Sequence, residues 1–99
     1  MIGGNWKCNL TKDSVDALIK VLNEAGPIPE NVEVAVAPTF IHLSTALSTL
    51  RKDIAVSGQN SGLNEKAGAY TGEICPSQLV DLGCTWVIIG HSVRYPLRV

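Results

Sequence analysis

What most constrains the fold of this chain is an alternation: short β-branched, apolar runs separated by stretches whose apolar residues recur every three or four positions. The runs lie at residues 32–37 and 85–90 and at the start of 54–60, a stretch that begins apolar and ends polar, and the recurring stripes are Val15, Leu18, Ile19, Leu22 and then Leu43, Ala46, Leu47, Leu50. Each stripe follows i, i+3, i+4, i+7, one face of an α-helix. Adding an opening strand within residues 3–9 and a third helix carrying Leu79, Val80 and Leu82, the order is β, α, β, α, β, α, β. Such an order predicts a parallel sheet with right-handed crossovers and its helices outside.

The punctuation agrees. Leu10-Thr11-Lys12-Asp13-Ser14 offers capping side chains before the first stripe, and Gly26-Pro27 ends it, Gly by accepting a left-handed cap and Pro by refusing to continue a helix. Val-Glu-Val-Ala-Val-Ala at 32–37 is nearly all apolar, as in a strand covered on both faces, and Pro38 closes it. The second helix starts near Thr39, and Arg51-Lys52 after it suits the negative end of a helix dipole. Pro76 fits the first turn of the third helix and Gly83 its C-terminal cap. Residues 61–72 form a connection longer than a simple link requires.

Parallel sheets bind ligands at the carboxyl ends of their strands. Here those positions are residues 5–9, Pro38-Thr39, Gln59-Asn60 and His91-Ser92. Read as an extended strand, the first places Asn5, Lys7 and Asn9 on one face and Trp6 and Cys8 on the other, because side chains two apart share a face. An ammonium and two amides on one face need water, a partner or a ligand. Lys7 supplies positive charge for an anion, and His91 can exchange a proton or polarise a carbonyl. Either residue alone is more often structural; both at one end of the sheet make a candidate site. His42 reads as a surface or capping side chain. The glycines near Gly68 form neither GxGxxG nor a Walker motif, so a nucleotide site is weakly supported.

With 99 residues the chain makes one domain with a modest core. Eight basic and nine acidic side chains give a net charge of −1, which argues against nucleic acid or a membrane surface as partner. Cys8, Cys75 and Cys84 show no CxxC pairing and no histidine at ligand spacing, which disfavours a metal site or disulfide framework; an odd count fits a reducing compartment. No apolar stretch is long enough to span a bilayer, and the N-terminus lacks the basic-then-apolar pattern of a secretory leader.

The motifs Gly4-Asn5-Trp6-Lys7-Cys8-Asn9, Val36-Ala37-Pro38, Ser57-Gly58-Gln59-Asn60, Gly68-Ala69-Tyr70-Thr71-Gly72-Glu73 and Trp86-Val87-Ile88-Ile89-Gly90-His91-Ser92 closely resemble the triosephosphate isomerase family in order and spacing. The resemblance implies the N-terminal half of a (β/α)8 TIM barrel, here four parallel strands with three helices. It implies an isomerase of glycolysis and gluconeogenesis that interconverts dihydroxyacetone phosphate and glyceraldehyde 3-phosphate through an enediol, without cofactor or metal. His91 matches the family's neutral histidine electrophile. Lys7 matches the lysine facing the anionic substrate, and Asn5 the amide that holds both. Residues 59–73 match the family's dimer loop, so Gln59, Asn60, Thr71, Gly72 and Glu73 fall at a homodimer interface, with Cys8 on the receiving side.

The chain also departs from the family. A complete barrel has eight βα units and ~250 residues, and the catalytic glutamate and phosphate-binding backbone of the family match nothing here. After Ser92 the family continues Glu-Arg-Arg, whereas this chain reads Val93-Arg94-Tyr95, so Val93 replaces the carboxylate partner of Lys7. The expectation is a family fragment, 1–92 family-like and 93–99 divergent, that is inactive alone. The alternative is a non-catalytic piece that associates with full-length subunits through the 59–73 loop. A cytoplasmic location is expected, with a plastid possible because Ser57-Gly58-Gln59-Asn60-Ser61 and Asp81-Leu82-Gly83-Cys84 look like plastid-type versions.

Overall fold

The computed structural model describes residues 1–63 and 68–92. Four strands, β1 (Ile2–Asn5), β2 (Val34–Ala37), β3 (Ile54–Gly58) and β4 (Trp86–Val87), form one sheet in the order β1-β2-β3-β4. All three pairings are parallel, with Asn5 opposite Ala37, Val34 opposite Ile54 and Ser57 opposite Trp86. The helices α1 (Lys12–Glu24), α2 (Leu43–Thr49) and α3 (Pro76–Leu82) fill the three crossovers. This is the architecture expected of the first four strands of a (β/α)8 barrel.

Helix α1 begins at Thr11, whose hydroxyl accepts the amide of Ser14 at 3.3 Å while the Ser14 hydroxyl accepts the amide of Thr11 at 2.7 Å. This reciprocal box satisfies donors that the first helical turn leaves open. Val15 and Ile19 then bury completely or nearly so and Leu18 and Leu22 partly, as the stripe requires. The helix ends at Ala25 in an extended conformation, one residue before Gly26, so the left-handed glycine cap expected there is not formed. Pro27 has already made continuation unfavourable, and a guanidinium takes over the exposed carbonyls. Arg51 Nη1 donates to the carbonyls of Leu22, Ala25 and Gly26 at 3.3, 3.0 and 3.1 Å.

The same arginine forms a two-pronged pair with Asp53, and its backbone amide donates to Asn23 Oδ1 at 2.7 Å. Lys52 Nζ donates to the Leu47 carbonyl of α2 at 2.8 Å. Basic residues therefore do cap helix carboxyl ends, Lys52 on its own helix and Arg51 across on α1. Hydrogen bonding from Arg51 holds the Asp53 carboxyl below its usual range.

Helix α2 is preceded by a 3-10 turn, Phe40–His42. His42 is buried beside Leu43 and makes no side-chain capping bond, which corrects its reading as a surface or capping residue. The tighter turn carries it inward while Ile41 next to it stays 82% exposed. In α3 the expected caps are both present, Pro76 in the first turn and Gly83 at φ 111. Only Leu79 of its apolar residues is buried; Val80 and Leu82 face outward. Gly58 lets α3 approach β3, since a Cβ there would lie 2.9 Å from Leu79 Cδ1.

The core joins Val15, Ile19, Leu43, Ala46, Leu50 and Leu79 to Val36, Ile54 and Val56 on the sheet. Full burial of such a side chain stabilises by about 1.5–3 kcal/mol. Trp6 and Val87 pack against its margin. The opposite face of the sheet carries small residues, among them Gly3, Ala35, Ala37 and Ser57, around an open cleft of ≈ 330 Å³ that also reaches Asn5 and Trp86.

Three strands are shorter than the stretches expected to form them. β2 starts at Val34 because the Val32 amide is used in a turn to the Pro29 carbonyl. β3 ends at Gly58, leaving Gln59 and Asn60 beyond it. β4 has only two paired residues, although the Ile88 amide extends the ladder to the Gly58 carbonyl at 2.9 Å. Among the described residues β4 has a ladder partner on one side only, so nothing extends the pairing further along residues 88–90.

Candidate functional site at the carboxyl ends of the strands

Strand β1 stops at Asn5, and residues 6–9 do not continue it. The Trp6 amide makes one last ladder-like bond to the Ala37 carbonyl at 3.0 Å. The chain then turns. Asn5 Oδ1 accepts the backbone amide of Lys7 at 2.8 Å, and Asn9 Nδ2 donates to the Trp6 carbonyl at 3.1 Å. The alternating face proposed for Asn5, Lys7 and Asn9 is therefore not present, because asparagine side chains close local turns in preference to extending a strand. Lys7 sits at φ 54 and Leu10 at φ 80, both in the left-handed region. A non-glycine residue there carries a cost and is held by its surroundings.

The surroundings are visible for Lys7. Asn5 takes its amide hydrogen, and Gln59 Nε2, from just past β3, donates to its carbonyl at 2.6 Å. The same Nε2 donates to the Ala37 carbonyl at the end of β2 at 2.9 Å. One amide group thereby ties together three strand ends. Lys7 itself is exposed, with its ammonium in no ion pair among the described residues.

His91 follows β4 at the same, carboxyl end of the sheet, since all four strands are parallel, and is half-buried. The structure thus keeps Asn5, Lys7 and His91 at one end, with Asn5 used locally to shape the turn. Of the residues assigned by resemblance to a dimer interface, Cys8, Thr71, Gly72 and Glu73 are exposed, and Gln59 and Asn60 are half-buried. Gln59 spends its donors inside its own chain. Gly72 adopts φ 87, the Glu73 amide donates to the Tyr70 carbonyl at 2.9 Å, and the Gly62 amide donates to the Ile74 carbonyl at 2.7 Å, pinning the loop's base. Residues 64–67 of this loop, and Val93 and Arg94, lie outside the described residues.

Two features were not foreseen from the sequence: the Gln59 bridge and the Arg51 clamp. A glutamine one residue past an apolar run is a usable signal for the first, since its two hydrogens need acceptors. Nothing local marks the second, because its partners are about 25 residues away in sequence. No group of three or more His, Cys, Asp or Glu residues capable of holding a metal occurs among the described residues. No helix there is long and apolar enough to cross a membrane.

Comparison with known proteins places this arrangement. The sequence model of the family described as triosephosphate isomerase matches residues 1–96, past the point where the motif breaks after Ser92. The chloroplastic triosephosphate isomerase of Secale cereale is 52% identical over 93 residues, 94% of this chain and 30% of that protein. The cytosolic triosephosphate isomerase of Oryza sativa subsp. japonica is 48% identical over 98 residues, 97% of this chain and 38% of that protein. The triosephosphate isomerase of Pseudomonas fluorescens is 45% identical over 95 residues, 95% of this chain and 38% of that protein. The chain spans about a third of the length of these relatives, which include both chloroplastic and cytosolic proteins. A parallel βα sheet, a lysine and a histidine at one set of strand ends, and a match along nearly the whole chain agree: this chain belongs to the triosephosphate isomerase family.

Proposed function

We propose that the strand ends of this chain are part of a triose phosphate isomerisation site, in which dihydroxyacetone phosphate and glyceraldehyde 3-phosphate interconvert by proton transfer through an enediol. The observation that carries this reading is Lys7, a cation held left-handed at the end of β1 by Asn5 and Gln59. Strain of that kind in an exposed lysine is what a positioned functional group shows, and it has no stabilising purpose of its own. In this role the Lys7 ammonium faces the anionic substrate, Asn5 keeps both in place, and His91 polarises the carbonyl where enediolate charge develops.

The base that removes the carbon-bound proton is assigned to no residue of this chain. With no such base assigned, the 99-residue polypeptide is expected to bind triose phosphate without turning it over. A coupled isomerase assay on the purified polypeptide, with isothermal titration of dihydroxyacetone phosphate, tests both halves. Measurable turnover would contradict the inactive state, and equal heats for the parent and Lys7→Met would contradict the site.

A second reading rests on a separate observation: Leu63 and Tyr70 are 80% and 50% exposed on the loop whose base is pinned by the Gly62–Ile74 bond. In this reading residues 59–73 dock on a full-length family member or a second copy, with Thr71, Gly72, Glu73 and Cys8 at the contact. Co-purification with a tagged full-length relative, lost on replacing Leu63 and Tyr70 by serine, distinguishes it.

A further inference from the structure

We propose that Gln59 is the positioning residue of the Lys7 site: its side-chain amide, by gripping the Lys7 and Ala37 carbonyls together, keeps Lys7 in the left-handed conformation that sets the direction of its ammonium. This deepens the reading above and rests on it for the ligand, though not for the conformation.

Four observations carry it. Lys7 occupies a backbone region that L side chains avoid, and left to itself would relax to negative φ. Its amide is held by Asn5 at 2.8 Å, but this bond spans two residues and turns with the loop, so it does not fix the loop relative to the sheet. The Gln59 bonds do. They join the end of β3 to Lys7 and Ala37, 52 and 22 positions away in the chain, so that the loop, the end of β2 and the end of β3 form one rigid unit. Gln59 is half-buried, whereas Lys7 is exposed, so the grip on the backbone leaves the cation accessible to an anion.

Chemistry makes glutamine specific here. Both partners of Nε2 are carbonyl oxygens, which only accept, so the position requires a two-hydrogen donor. A methionine of similar length donates nothing. A glutamate donates one bond when protonated and presents only acceptors to two acceptors when ionised. The Gln59→Glu variant therefore carries a pH-dependent version of the same grip.

The test is nuclear magnetic resonance on the intact 99-residue chain as parent, Gln59→Met and Gln59→Glu. The intraresidue amide-to-Hα Overhauser effect of Lys7 reports its φ, being strong only at positive values. Titration with dihydroxyacetone phosphate reports binding through the Lys7 side-chain resonances. The expected result is a strong Lys7 effect in the parent and a weak one in Gln59→Met. In Gln59→Glu it is strong in acid and weak once the carboxyl ionises, while resonances of α1 and α2 stay in place. Ligand affinity follows the Lys7 conformation, falling about tenfold when two neutral hydrogen bonds are lost. An unchanged Lys7 effect in Gln59→Met, or a Gln59→Glu response with no pH dependence, overturns the proposal. Should the parent bind no dihydroxyacetone phosphate, the substrate assignment fails, while the Overhauser measurements still decide the role of Gln59.

Discussion

Lys7 shows how much a single residue's environment matters. Its φ of 54 costs an L-residue roughly 1–2 kcal/mol relative to the right-handed regions. Glycine has no such cost but loses more chain entropy on folding. Lys7→Gly is therefore expected to raise stability by up to ~1 kcal/mol in chemical denaturation. The same change removes the ammonium and, under the proposed function, is expected to abolish triose phosphate binding. A decrease in stability would mean that the lysine stem contributes packing that its exposure does not reveal. The cysteines differ for an equally local reason. Cys8 is exposed, whereas Cys84 is buried and its thiol is pushed up by desolvation. Cys75 is also buried, but hydrogen bonds from Ser77, 3.1 Å away, and from the Gln78 backbone lower its pKa. Mass spectrometry after brief alkylation of native protein is expected to find Cys8 modified first and Cys84 last, because attack needs an accessible thiolate.

At the scale of elements, the ends of the helices hold most of the specific polar bonding. Thr11→Ala removes the hydroxyl that accepts from Ser14 and is expected to cost about 1 kcal/mol, read from the shift of a urea midpoint. Arg51 and Asp53 link the carboxyl end of α1 to the start of β3. The Asp53 pKa is lowered in the folded state, so this contribution is present above the unfolded carboxyl pKa and fades as pH falls through the folded value. Asp53→Asn should flatten the acid side of the stability profile and leave the neutral side with little change beyond the missing pair. The effect is modest, since the Asp53 side chain is 48% exposed and surface ion pairs are screened. An acid limb as steep in Asp53→Asn as in the parent would place the acid sensitivity elsewhere.

For the whole molecule, the decisive feature is a parallel sheet that, among the described residues, carries helices on one face only. β1 and β4 are its edges, and the open face with its ≈ 330 Å³ cleft is lined by small side chains. Trp86, which lines the cleft, is 45% exposed. Parallel sheets in stable domains are covered on both faces, and free edges invite pairing. The isolated polypeptide is accordingly expected to self-associate, seen as a concentration-dependent mass in light scattering coupled to gel filtration. A monodisperse monomer that melts cooperatively would show that the helix-side core is sufficient by itself.

The amino-acid pattern alone determined the order of elements, the parallel sheet, the helix stripes and the caps at Thr11, Pro76 and Gly83, because these depend on spacing and on the φ preferences of neighbouring residues. It also located the strand ends, and through its motifs the family. What it misjudged were places where a side chain or a tighter turn competes for the backbone. Residues 3–9 read as one strand until the Asn5 side chain took the Lys7 amide. The carboxyl end of α1 read as a glycine cap at Gly26 until Arg51 reached it, and His42 looked superficial until a 3-10 turn carried it inward. Only the tertiary structure decided that Gln59 would bridge two other strand ends, since the acceptors it satisfies are 52 and 22 residues away and converge solely because the sheet is parallel.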